Sequence, residues 1–304
     1  MNVHRQLLFV VFVAMLMLLG CKNNITHSAS YGKAYEVVVI NDIDSLLYNT
    51  LSVPMKGLPQ IEPTFDVVEI TSDKLKGDSK LVRNIVVLTI DKRQKRVDIS
   101  SKQNVYAQPQ VIINIVAPSQ SSLQIFLKKY GNELRNYLIK TELHRAQGDI
   151  ARQTNVKAAS TIYKMFGIRM QVPPELTTSK VGKNFLWLSN NASSGMVNLC
   201  IYSIGKGKFA QERDSVMCKN ILGEQKGMYM RTASIVSMVH GKYNSVTIRG
   251  LWEMQNDAMG GPFVAYWKPN GKRIVVTEVF VYAPETKKRN LVRRLEAALY
   301  TRNK

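Results

Sequence analysis

The sequence predicts an α+β protein of two successive halves with mainly antiparallel sheets, set behind a cleaved lipoprotein signal peptide. Three observations lead there. Strand-like and helix-like patterning alternates in two rounds from Ala34 onward, and Pro173-Pro174 breaks the chain between the rounds. The length of 304 residues, at 45% hydrophobic and 21% charged, is enough for about two domains that bury cores of their own. The same composition excludes disordered and collagenous chains, and three cysteines cannot form a disulfide framework.

In the first round, Tyr35 to Ile40 (YEVVVI) reads as a short buried strand, and Asp42 caps a helix over Ile43 to Leu51. Val53 to Pro63 is a proline-punctuated loop. Asn84 to Ile90, Arg96 to Ile99 and Gln110 to Val116 read as strands, the first two joined by a charged turn. Ser119 is the N-cap of a helix whose apolar residues recur from Leu123 to Leu138, and a further helix covers roughly Asp149 to Phe166, ended by Gly167. In the second round, Asn184 to Leu188 and Met196 to Ile204 are strands and Phe209 to Leu222 is a helix. Tyr243 to Gln255, Pro262 to Trp267 and Arg273 to Tyr282 form a meander with a Pro-Asn-Gly hairpin at 269–271. A helix over Glu285 to Tyr300 closes the chain. The expected division is a signal peptide over 1–20, a lipidated cysteine and flexible tether over 21–33, and halves over 34–167 and 168–304. A single sheet shared by both halves is an open alternative.

The segment before these elements says where the protein resides. Arg5 and the α-amine precede Leu7 to Leu19, an apolar run of 13 residues. A membrane-spanning helix needs about 20 such residues, so this run has the length of a signal-peptide core. Leu18-Leu19-Gly20-Cys21 resembles the bacterial lipobox. That resemblance implies thioether lipidation of Cys21, cleavage between Gly20 and Cys21, and acylation of the new N-terminus. One acyl chain binds a bilayer only marginally, whereas several make attachment effectively permanent. No Asp follows Cys21, which by resemblance to known sorting patterns favours the outer membrane, and no acidic cluster follows either, which favours the periplasmic face.

Charge follows the same line. Lys and Arg number 42 against 22 Asp and Glu, giving +20, or +19 once residues 1–20 are gone. Residues 31–170 hold 20 basic and 13 acidic groups and residues 171–304 hold 20 and 9, so the second half is more basic. The basic runs are Lys92-Arg93 with Lys95-Arg96, and Lys287-Lys288-Arg289 with Arg293-Arg294. Each reads either as a solvated face or as a contact for anionic envelope lipids or polysaccharide. Nucleic acid is not an expected partner of a secreted, tethered chain; the membrane, through Cys21, is one, and a protein partner is left unidentified.

Gly250-Leu251-Trp252-Glu253-Met254-Gln255-Asn256-Asp257-Ala258-Met259-Gly260-Gly261-Pro262-Phe263-Val264-Ala265-Tyr266 resembles a segment of the uncharacterised lipoprotein family numbered 4837 among the domains of unknown function. Gly57 to Gln60, Glu62-Pro63, Phe65-Asp66, Arg83 to Ile85, Pro109-Gln110, Asn184 to Leu188, Arg213 to Ser215 and Val281 to Pro284 agree with it, from about residue 32 to 300. The resemblance implies a lipoprotein and hands over no catalytic residue.

No complete catalytic constellation appears, and neither a metal site nor a cofactor is expected. His4 is cleaved and His27 lies in the tether, while His144 and His240 lack a second ligand at i+2 or i+4. Cys200 and Cys218 leave two readings open, a disulfide or two buried thiols. The loop around Asn256 to Gly261 offers a ligand site in which Trp252 and Phe263 supply aromatic surface, Asn256 and Asp257 hydrogen bonds, and Gly260-Gly261 bare backbone; its plain alternative is a hairpin that needs glycine. The leading expectation is a structural or binding lipoprotein of the envelope. The alternative is a periplasmic enzyme using Asp257, Glu253 or Arg249.

Overall fold

The computed structural model describes residues 28–270 and 273–302. Gly20, Cys21, His4 and His27 lie outside the described residues. The two halves form separate main sheets, which excludes one sheet shared by both halves, and a two-stranded pair stands beside the first.

The first half holds β1 (Ser28–Ala29), β2 (Glu36–Ile40), α1 (Leu46–Leu51), β3 (Asp66–Ile70), β4 (Asn84–Ile90), β5 (Asp98–Gln103), β6 (Ala107–Gln108) and β7 (Val111–Ala117). Its main sheet has the order β3-β2-β4-β7-β5. The sheets are mainly antiparallel over the chain, as expected, but this one departs from that: β3, β2, β4 and β7 run parallel and only the edge strand β5 is antiparallel. Parallel strands need long crossovers, and those after β2 and β3 are made of α1 and of loops with short 3₁₀ turns, which carry little periodicity to read. α1 begins at Leu46, later than the expected Ile43, and its N-cap residue is Ser45, which makes no side-chain cap bond; Asp42 still serves the helix start from three residues upstream, its carboxylate accepting from the N–H groups of Ile43, Leu47 and Tyr48 at 2.8–3.0 Å.

Residues 28–33 are not free tether. β1 pairs with β6, and Tyr31 N–H donates to Leu81 O at 2.7 Å while its carbonyl accepts from Arg83.

Two helices then link the halves: α2 (Gln120–Arg152) and α3 (Val156–Phe166). Ser119 caps α2, its hydroxyl accepting from Ser122 N–H. α2 runs 33 residues, past the expected end near Leu138, with the break falling at Asn155, which caps α3 through Ala158 N–H. The polar stretch 140–149 hid this continuity. Its Glu142 is buried and ion-paired to both Arg83 and Arg145, so a charged residue occupies a core-facing position. Leu123, Leu127, Leu134 and Leu138 cover the first sheet, whereas Leu143 and Ile150 enter the core of the second. α3 also packs in that second core through Ala158, Ile162 and Phe166, so the core divides near residue 153 and not at 167.

The second half adds β8 (Thr178–Gly182), β9 (Phe185–Ser189), β10 (Met196–Ile204), α4 (Phe209–Asn220), β11 (Met230–His240), β12 (Val246–Met254), β13 (Gly260–Asn270), β14 (Arg273–Tyr282) and α5 (Arg289–Leu299). Its seven-stranded sheet, in the order β11-β12-β13-β14-β10-β9-β8, is antiparallel throughout and contains the expected meander. α3 and α5 cover one face and α4 the other.

Buried charges tie the pieces together. Arg213, wholly buried, donates to both oxygens of Glu278 at 2.7–3.1 Å and lies over the Phe263 ring at 4.3 Å, while Tyr202 Oη donates to Glu278 at 2.6 Å. Between the halves, Glu62 accepts from the N–H groups of Lys288 and Arg289 at the start of α5, where a carboxylate complements the helix dipole, and Arg289 pairs with Asp66. Glu296 pairs with Arg249 and Arg293 and accepts from Tyr300.

Candidate ligand-binding site

The loop singled out in the sequence borders a cavity of about 460 Å³ on the α4 face of the second sheet. β12 and β14 supply its floor. Along β12 alternate side chains point one way, so Trp252 and Met254 face the cavity while Arg249 and Glu253 face away. From β14 come Phe280 and Tyr282, with Trp187 of β9 beside them. The rings pack edge to face, Trp252 and Phe280 having centroids 5.4 Å apart at 72°. Both indole N–H groups are satisfied by the protein, Trp252 by Val281 O at 3.3 Å and Trp187 by Asn198 Oδ1 at 2.9 Å. The apolar ring surface is what each presents to the cavity.

Five methionines complete the wall: Met196, Met228, Met230, Met254 and Met259. Thioether side chains are unbranched and polarizable, and a wall built from them adapts its shape to an apolar guest. Two acidic residues, Glu224 and Asp257, sit at the exposed rim. The volume falls in the range of small-molecule sites, with apolar lining and a few polar groups.

The expected site residues divide. Trp252 and Asp257 line the cavity, and Asn256 flanks it in the turn with φ 61°, bonded to Gln255 and Gly227. Gly260 and Gly261 serve packing: a Cβ on Gly261 would sit 2.1 Å from Val281 O, and one on Gly260 2.9 Å from Trp252 O. Phe263 lies beneath Arg213, outside the cavity. The methionines and Trp187 were missed, because they come from five separate segments and only the sheet brings them together.

Asp257, Glu253 and Arg249 do not form one site. Arg249 points to α5 and pairs with Glu296, while Glu253 pairs with Arg231 at the surface. Cys200 and Cys218 are both free thiols, which removes the disulfide reading; Cys200 is enclosed in the sheet and Cys218 is directed at Ser215 O along its own helix. His144 and His240 are exposed. The basic run at α5 divides: Lys288, Arg289 and Arg293 are buried in contacts with Gln60, Asp66 and Glu296, whereas Lys287 and Arg294 stay exposed. Lys92, Arg93, Lys95 and Arg96 are exposed.

Fold and cavity together define an α+β body in two parts, with an apolar chamber in the second. Residues 155–301 match the family described as Domain of unknown function (DUF4837), and residues 30–151 match that described as Domain of unknown function (DUF8532). The likeness read along the sequence is thus carried by the second half, and the first half matches a separate family. No curated protein matches the chain. The residues that carried the likeness have structural work: Glu62 and Asp66 hold α5, Gln110 Nε2 donates to Lys80 O and Val82 O, and Arg213 and Asp214 fasten α4 to β14 and β11.

Proposed function

We propose that this chain is an envelope lipoprotein, anchored by lipid on Cys21 to the periplasmic face of the outer membrane, whose body binds an apolar small molecule. The observation that carries the binding reading is the methionine- and tryptophan-lined cavity of about 460 Å³. Its walls offer dispersion and ring contacts and almost no fixed donors, which selects for apolar bulk over a hydrogen-bonding pattern. The lipobox-like Leu18-Leu19-Gly20-Cys21 supports the anchor.

Two measurements test the reading. Residues 22–304 are titrated with the neutral probe N-phenyl-1-naphthylamine, following energy transfer from tryptophan. Saturable binding that Met259→Lys weakens tenfold or more, at unchanged circular dichroism, is the expected result; no saturable binding overturns it. Growth on an alkynyl fatty acid labels the wild type and leaves Cys21→Ala unlabelled, and label persisting in that variant refutes the anchor.

A further inference from the structure

We propose that the face formed by the β4–β5 turn, β5 and the first half of α2 docks on an anionic lipid bilayer. β5 is the edge strand of the first sheet, and between it and α2 runs an open apolar groove formed by two adjoining cavities of about 450 and 560 Å³ that share Ile99, Phe126 and Tyr130. Its apolar residues remain uncovered: Ile125 is 71% exposed, Ile99 44%, Tyr130 40% and Tyr137 37%. Large apolar side chains left together at the surface mark an interaction face.

The cations beside the groove decide the partner. Lys92, Arg93, Lys95 and Arg96 stand exposed on the turn that leads into β5, and Lys129 reaches from α2 with its Nζ 4.9 Å from the Tyr130 ring centre. The acidic groups along the same face are Asp91, Asp98 and Glu133, and Asp91 is taken by Arg93. Apolar and aromatic side chains ringed by lysine and arginine suit the boundary between acyl chains and anionic headgroups, where each component meets its own solvent.

The exit of the chain agrees. β1 pairs with β6, which follows β5, so Ser28 leaves the body at the far end of that strand. The seven residues from Cys21 to Ser28 reach at most about 25 Å. The six residues of β5 cover about 20 Å, so an anchored Cys21 can lie in the bilayer on which this face rests. In this respect the proposal rests on the anchor reading, and its test is made without the anchor.

Unlipidated residues 22–304 are sedimented with phosphatidylcholine vesicles and with vesicles containing 30% phosphatidylglycerol. The expected result is binding to the anionic vesicles alone, weakened tenfold or more by Lys92→Glu/Arg96→Glu and by Ile125→Ser, and relieved by salt. The control Lys206→Glu/Lys208→Glu, with the same charge change at exposed positions elsewhere, should bind as the wild type. Equal binding to both vesicles, or equal loss in the control, overturns the proposal. Binding to neither also overturns it and leaves the groove to a protein partner. Failure of Cys21 labelling would refute the anchor and leave this result standing.

Discussion

Glu296 is the group through which acid should loosen the packing of α5 on the second sheet. It is buried on α5, where desolvation opposes its charge, yet Arg249 and Arg293 and the hydroxyl of Tyr300 outweigh that cost and hold its pKa at about 2 instead of the usual 4.5. At 1.36 kcal/mol per unit, a lowering of that size corresponds to roughly 3 kcal/mol of folding stability. The sign follows from the folded value being depressed. The contribution is complete above pH 4.5, where the unfolded chain is also ionised, and it is lost as pH falls towards 2. Glu296→Gln removes the charge at every pH. Urea unfolding of the wild type and of this variant between pH 7 and pH 2.5 should therefore give a stability gap of about 3 kcal/mol at neutral pH that narrows steadily below pH 4.5. Other carboxylates titrate in both proteins, and taking the difference removes them. A gap that is constant with pH would refute the reasoning, because the ionisation of Glu296 would then carry none of the stability.

Two further outcomes are expected. Arg213→Met strands the buried Glu278 charge and should cost about 3–5 kcal/mol, or about 6–20 °C in Tm, while Arg213→Met/Glu278→Leu recovers most of the loss because both charges leave together; strict additivity in scanning calorimetry would count against an ion pair. In residues 22–304, an alkylating reagent should modify Cys218 in the native state and reach Cys200, whose thiol burial pushes well up, only after denaturation. A native intact mass two daltons low, with no alkylation, would restore the disulfide.

Much of the second half was legible in the sequence, because its meander is built from long β-branched strands whose alternation survives burial of both faces, and Pro-Asn-Gly marks a hairpin. β11 escaped notice: it is an edge strand with bulges at Thr232/Ser234 and Ile235/Ser237, so its apolar residues fall out of phase. β3 and β8 were missed for a related reason, since neither buries a continuous face. In the site, the turn at Asn256 and Asp257 stood out by its glycines, yet those glycines answer to the backbone of Val281 and Trp252. The cavity itself could not be read, because single methionines scattered along a chain carry no local pattern. Arg293 misled for a physical reason as well, since a helix face rich in arginine looks solvated until its carboxylate partners arrive from elsewhere.

α2 has a mechanical meaning beyond its place in two cores. Its 33 residues make a rod of about 50 Å, and one family match ends where that rod ends. Because the same rigid strut is embedded in both halves, torque applied to the first is delivered to the second without a hinge to absorb it. A contact that fixes the groove end of the strut would thereby fix the bearing of the chamber beyond the second sheet. A guest would then meet its entrance at one constant height and angle, as at a mooring, and swapping either half for a relative's would require matching the pitch of this helix before matching any surface.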